Sequence, residues 1–130
     1  MRRLSALLLL SASACAPLAA SPPADSQKFV VFFSEWSADP DPGAVQAIKA
    51  AARFALQHPD QPITVAGFAD PAGSPQADLD LSRTRALVVS NDLVANGVPA
   101  SRIQRSAHGA TAFNLSSLEN RRVDIAVGSP

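Results

Sequence analysis

Two short apolar runs, Lys28–Phe33 (KFVVFF) and Ile63–Phe68 (ITVAGF), stand on either side of a longer stretch whose polarity repeats at helical spacing. A chain that passes from a strand period to a helical one and back must lay helix against sheet. Asp41 supplies an N-cap with Pro42 in the first turn, and Pro59 ends the helix after His58. Gln46, Lys49, Arg53 and Gln57 mark its wet stripe, and Val45, Ile48, Ala52 and either Ala55 or Leu56 the buried one. Lys28–Phe33 is apolar on both alternating faces, which predicts an interior strand covered on both sides or nearly so.

The pattern then repeats with changes. Pro71, Gly73 and Pro75 punctuate a loop after Ile63–Phe68, and a second helix is expected over Leu79–Asn96, with Asp78 and Asp80 in its first turn and Gly97 as its stop. Ala86, Val89 and Leu93 define its buried stripe. Ile103–Ala107 reads as a short strand and Val123–Val127 as a half-exposed one. The expected fold is α/β (α+β), a two-layer sandwich ordered β-α-β-α-β-β, with helices packed against a mixed four-stranded sheet.

The 130 residues divide into three parts. Residues 1–14 read as a secretory signal: basic Met1–Arg3, apolar Leu4–Leu10, small Ser11–Ala14. Residues 15–26 hold Cys15, the only cysteine, and an Ala/Pro/Ser-rich spacer that reaches at most roughly 40 Å. Residues 27–130 form one domain. Ala12–Ser13–Ala14 before Cys15 resembles the lipobox of bacterial lipoproteins, although Leu is usual where Ala12 stands. Cys15 is therefore expected to carry lipid, the alternative being an ordinary A-x-A cleavage site beside an incidental cysteine, and the lack of Asp just after Cys15 favours the outer membrane.

Removing Arg2 and Arg3 leaves nine basic against eleven acidic residues, a net of −2 with His neutral. With one Trp, no Tyr and no basic run longer than Arg121–Arg122, nucleic acid is not an expected partner. Leu4–Leu10 is far short of the about 20 residues that cross a bilayer.

Four pieces carry a family resemblance: G-F-A-D-P-A-G at Gly67–Gly73, L-S-R-T-R-A at Leu81–Ala86, G-V-P-A-S-R-I at Gly97–Ile103 and N-R-R-V at Asn120–Val123. Upstream, V-F-F-S-E-W-S-A at Val31–Ala38 adds a fifth. Together they resemble the OmpA-like peptidoglycan-associating domain, the family of Pal lipoproteins and the periplasmic end of the OmpA porin. The resemblance implies a non-catalytic domain that grips the diaminopimelate residue of peptidoglycan stem peptides, with Asp70 and Arg85 as the gripping pair.

The chemistry of that pair is consistent with the role. A free amino acid centre presents an ammonium and a carboxylate together, and Asp70 and Arg85 offer the complementary charges. The planar fork of Arg takes a carboxylate through two parallel bonds. Arg85 is expected to border the buried stripe and reach over an open sheet edge. Arg83, about 200° away around the helix, should be solvated. Asp78 stands where the family often has Asn, either as a second anion near the ammonium or as a helix cap. Arg121 turns inward by parity with Val123, either buttressing the site or serving as a structural ion-pair partner, and Arg122 shares a face with Asp124. Phe68 and Ala69 replace the family's His or Tyr followed by Thr, which removes a hydroxyl near the ligand. The segment His108–Glu119 is shorter than usual.

Enzyme chemistry finds little footing. There is no G-x-S-x-G, no H-E-x-x-H and no phosphate-binding glycine loop, and His58 and His108 lack ligand spacing. No metal or other cofactor is expected. The expected function is to tether the outer membrane to the wall from its periplasmic face, with peptidoglycan, the membrane and other envelope proteins as partners. The alternative is a protein-interaction module of the same fold that has lost the ligand.

Overall fold

The computed structural model describes residues 25–110 and 117–128. Cys15, the signal segment and the spacer through residue 24 lie outside the described residues, as does much of the short segment before Glu119. Asp25 already belongs to the folded body, its carboxylate accepting a hydrogen bond from Gln61 Nε2 at 2.6 Å.

The elements are β1 (Gln27–Phe32), α1 (Pro42–Gln57), β2 (Ile63–Ala69), α2 (Pro75–Ala95), a 3-10 turn (Ala100–Arg102), β3 (Ile103–Ala110), the one-turn α3 (Ser117–Asn120) and β4 (Arg122–Val127). The expected βαβαββ order holds, with two short helical turns added. The sheet is mixed and four-stranded, in the order β1-β4-β2-β3. β4 runs antiparallel to both neighbours, and β2 pairs parallel with β3. Consequently β1, β2 and β3 point one way, and the ends of β1 and β2 meet the start of β4 at one end of the sheet.

Asp41 caps α1 as expected, Oδ1 accepting from the Ala44 N–H at 2.7 Å, with Pro42 at the first position. Its buried stripe is Ala44, Ile48, Ala51, Ala52 and Ala55. Val45 is only half-buried and Leu56 is exposed, so Ala55 is the inward residue of the two alternatives. Small side chains let the helix lie close to the sheet.

Two expectations need correction. β1 is an edge strand, not an interior one. Val31, and Phe33 just beyond the strand, are buried, while on the opposite face Val30 is half-buried and Phe32 exposed. In a two-layer fold only one face of the sheet receives helices, so apolarity on both faces does not imply cover on both. α2 begins at Pro75, a turn earlier than expected, with Ser74 Oγ accepting from the Ala77 N–H at 3.1 Å. Pro75 is the first helical residue instead of loop punctuation. Asp78 stays in the first turn, and Asp80 falls beyond it.

Candidate functional site: a charged crevice at one end of the sheet

The topology gathers three segments: Phe33–Ser37 after β1, Asp70 after β2, and Arg121 before β4. The Phe33 N–H donates to the Arg121 carbonyl at 2.8 Å, extending the β1–β4 ladder into the site. The fourth contribution comes from α2, whose buried stripe is polar toward its start (Asp78, Ser82, Arg85) and mainly apolar further on (Ala86, Val89 and Leu93, with Ser90 the polar exception). Gly67 is what allows α2 this close, since a Cβ there would stand 2.0 Å from the Ser82 carbonyl oxygen. Helical side chains lean toward the helix start, so Arg85 is delivered to the end of β2.

Arg85 is fully buried. Its Nε donates to Ser37 O at 2.7 Å, Nη1 to Phe68 O at 3.1 Å and Nη2 to Ser34 O at 3.0 Å. The Phe33 ring lies beneath it, 5.3 Å from Cζ to the ring centroid. A guanidinium carries five N–H groups, so these three bonds leave two. Its pKa is lowered to about 10, first by burial and then by the nearby Arg121, with Asp70 opposing both. The group keeps its charge at neutral pH. The expected reach over an open edge is thus corrected: Arg85 sits within the buried stripe, not beside it, because α2 rests directly on Gly67.

Asp70 is half-buried, with Oδ2 3.8 Å from Arg121 Nη1, and Arg121 Nε donates to Phe33 O at 3.1 Å. Asp70, Arg85 and Arg121 line one crevice together with Glu35, Trp36, Ala72 and Leu81. Its volume is about 10 Å³, room for about one water molecule. Asp78 is not brought to it. Asp78 is buried, and its Oδ1 accepts from the Gly73 N–H at 3.2 Å, holding the loop that follows Asp70, while Ser74 caps the helix.

The remaining charges lie outside the crevice. Arg83 is exposed and pairs with Asp80 at 2.9 Å. Arg122 Nε bonds Asp124 at 3.1 Å, and its Cζ lies 4.1 Å from the Phe68 ring centroid. Phe68 also stacks on His108 at 4.9 Å, so the ring that replaces a polar family residue is engaged on the sheet.

Trp36 is the residue sequence reasoning passed over. It is 53% exposed, and among the described residues it is the one non-glycine with positive φ, +54°. Holding a bulky side chain in the left-handed region costs roughly 1–2 kcal/mol. The indole lies against Gly73, where a Cβ would come within 2.5 Å of Cη2. The available signal was a lone Trp inside the quoted piece Val31–Ala38.

A roomier groove, about 370 Å³, lies between α2 and β3 and is lined by Arg83, Leu87 and Arg105 among others, away from Asp70 and Arg85. Among the described residues no cluster of three or more His, Cys, Asp or Glu could hold a metal ion, and no helix is long and apolar enough to cross a membrane.

Fold and crevice define a two-layer α/β domain with an acid and two guanidinium groups at one sheet end. Residues 32–122 match the OmpA family, and the chain belongs to it. It is 33% identical over 79 residues to a peptidoglycan-associated lipoprotein of Agrobacterium fabrum (strain C58 / ATCC 33970), covering 61% of this chain and 45% of that protein. It is 30% identical over 103 residues to the probable lipoprotein YiaD of Escherichia coli (strain K12), covering 75% and 47%. The matched region is thus about half the length of both relatives. The crystal structure of the peptidoglycan-associated lipoprotein from Burkholderia pseudomallei superposes with a TM-score of 0.70 at 23% identity, over 76% of this chain and 89% of that one. At that identity the likeness concerns the fold alone.

Proposed function

We propose that this domain binds peptidoglycan without catalysis, recognising the diaminopimelate residue of stem peptides through Asp70 and Arg85. The observation that carries the reading is the shared crevice: a half-buried carboxylate and a buried guanidinium face one space, with Arg121 beside the acid. Asp70 takes the ligand's ammonium. The Arg85 guanidinium takes its carboxylate, a charge-assisted pairing that gains strength where water is excluded. Arg121 positions Asp70. With Cys15 acylated, the domain works from the periplasmic face of the outer membrane, tethering it to the wall. Many ligand copies and a short tether then make weak individual contacts effective.

Co-sedimentation with purified sacculi tests the reading. The wild-type protein is expected to pellet, and Asp70→Ala and Arg85→Ala to remain in the supernatant; unchanged pelleting of both variants would refute the grip. Release of soluble muropeptides during the incubation would point to hydrolysis instead.

A second reading, an interaction module that keeps the fold without the ligand, is favoured by one observation. The crevice holds about one water, and the protein's own carbonyls occupy all three Arg85 nitrogens. Under that reading sacculi are not bound at all, and an envelope protein is.

A further inference from the structure

We propose that Trp36 is both a lid on the crevice and a wall of the opened binding site, where its indole packs along the methylene arm that carries the ligand's zwitterion. The inference rests on the assignment of Asp70 and Arg85 as the ligand's charged partners.

A zwitterionic side chain cannot enter a space of about 10 Å³, so some wall must move. Of the three carbonyls bound to Arg85, Phe68 O belongs to β2, at the irregularity between Gly67 and Ala69. Ser34 O and Ser37 O belong to the connection between β1 and α1. Trp36 lies between those two anchors and lines the crevice. The cation that holds the ligand therefore also fastens the lid.

A ligand carboxylate is a stronger acceptor for a guanidinium than a neutral carbonyl. Its arrival competes for the donors now given to Ser34 and Ser37 and releases the segment between them. The left-handed backbone at Trp36 favours that release, because a bulky residue is held there against its preference.

The indole then has a second task. It is already half-exposed and packs through its Cη2–Cζ3 edge against the Gly73 loop that follows Asp70. A diaminopimelate side chain presents its ammonium and carboxylate at the end of three methylenes. With the charged tip between Asp70 and Arg85, an aromatic wall at the mouth covers the arm and favours it over a shorter one.

The chain contains one tryptophan, so emission from the full chain reports on this residue alone. The test titrates a muramyl tripeptide ending in diaminopimelate by calorimetry and fluorescence together, with a tripeptide bearing the same zwitterion on a single methylene for comparison. The lid predicts a saturable emission change with the calorimetric midpoint. Trp36→Ala weakens binding of the long-armed ligand about fivefold to tenfold, the loss expected from exposing one to two methylenes. The same variant loses the preference for the longer arm, while Trp36→Phe keeps most of both. Calorimetric binding with silent tryptophan emission and an unaltered Trp36→Ala affinity would overturn the lid and leave the Asp70–Arg85 reading intact. No heat with the wild-type protein would overturn that reading and the lid with it.

Discussion

Two guanidinium groups are each held by three hydrogen bonds to backbone carbonyls at opposite ends of the same sheet. At one end Arg85 bonds Ser34, Ser37 and Phe68. At the other, Arg102 donates through Nη1 to Ala55 O at 2.9 Å and through Nη2 to His58 O and Gln61 O, both at 2.8 Å. Arg102 thereby closes the C-terminus of α1, where unpaired carbonyls favour a cation, and ties it to the turn into β2. Both residues stand inside pieces that carry the family resemblance. Their surroundings differ: Arg85 faces a crevice with Asp70 and Arg121 on its walls, whereas the hydrogen bonds of Arg102 go to backbone carbonyls and its Nε is buried without a partner. Bonds to carbonyls measure how firmly an arginine is held. A counter-charge across an open space is what allows it to hold something else.

The largest effect should come from replacing either arginine, and the two replacements should separate. Arg85→Ala strips the donor from three carbonyls in a buried site and should cost about 3 kcal/mol in urea unfolding. Sacculus binding by the remaining folded fraction should vanish. Arg102→Ala should cost about 2 kcal/mol by the same mechanism and leave binding per folded molecule unchanged. Equal loss of binding in both variants would erase the distinction between a structural and a ligand-facing guanidinium.

A smaller effect distinguishes the two acids. Asp70→Asn removes the anion offered to an ammonium and should weaken muropeptide binding about tenfold. Its stability should change by less than about 1 kcal/mol, since the Arg121 partner is 3.8 Å away and both side chains are partly exposed. Asp78→Asn keeps an Oδ1 acceptor for the Gly73 N–H and should leave affinity within about twofold, since the bond that holds the loop after Asp70 survives. A tenfold loss from Asp78→Asn would place that carboxylate at the ligand after all.

The same contrast between local and tertiary causes explains what could be read from the sequence. Asp41–Pro42 announces the start of α1 because capping and a fixed proline φ act within one turn. Ser74–Pro75 obeys the same rule, but the nearby Pro71 and Gly73 mask it as part of a longer loop. The edge position of β1 could not be read from KFVVFF, because strand order depends on which segments pair and not on the run itself. Asp70 and Arg85 were legible as residue types in a family frame. The burial of Arg85 was not, since it follows from the close approach at Gly67, which is a property of two elements together. Trp36 was written in the chain as a lone aromatic, but its place above the crevice depends on the β1–β4 pairing.

The smallest expected effect concerns the charge state of Arg85. Its folded pKa of about 10 lies below the ordinary guanidinium value, chiefly because burial disfavours the cation. Between those values the unfolded chain binds the extra proton, so this group's contribution makes the fold more stable as pH rises through that window. Below pH 10 both states are protonated, and the contribution is flat. Arg121→Gln removes a repelling cation and should move the Arg85 pKa back up, whereas Asp70→Asn removes the attraction and should move it further down. Arginine Cζ chemical shifts followed from pH 8 to 12 in the three proteins test the signs. Displacement in the same direction in both variants would mean that Asp70 and Arg121 do not share the space Arg85 faces, and the contrast with Arg102 would then rest on burial alone.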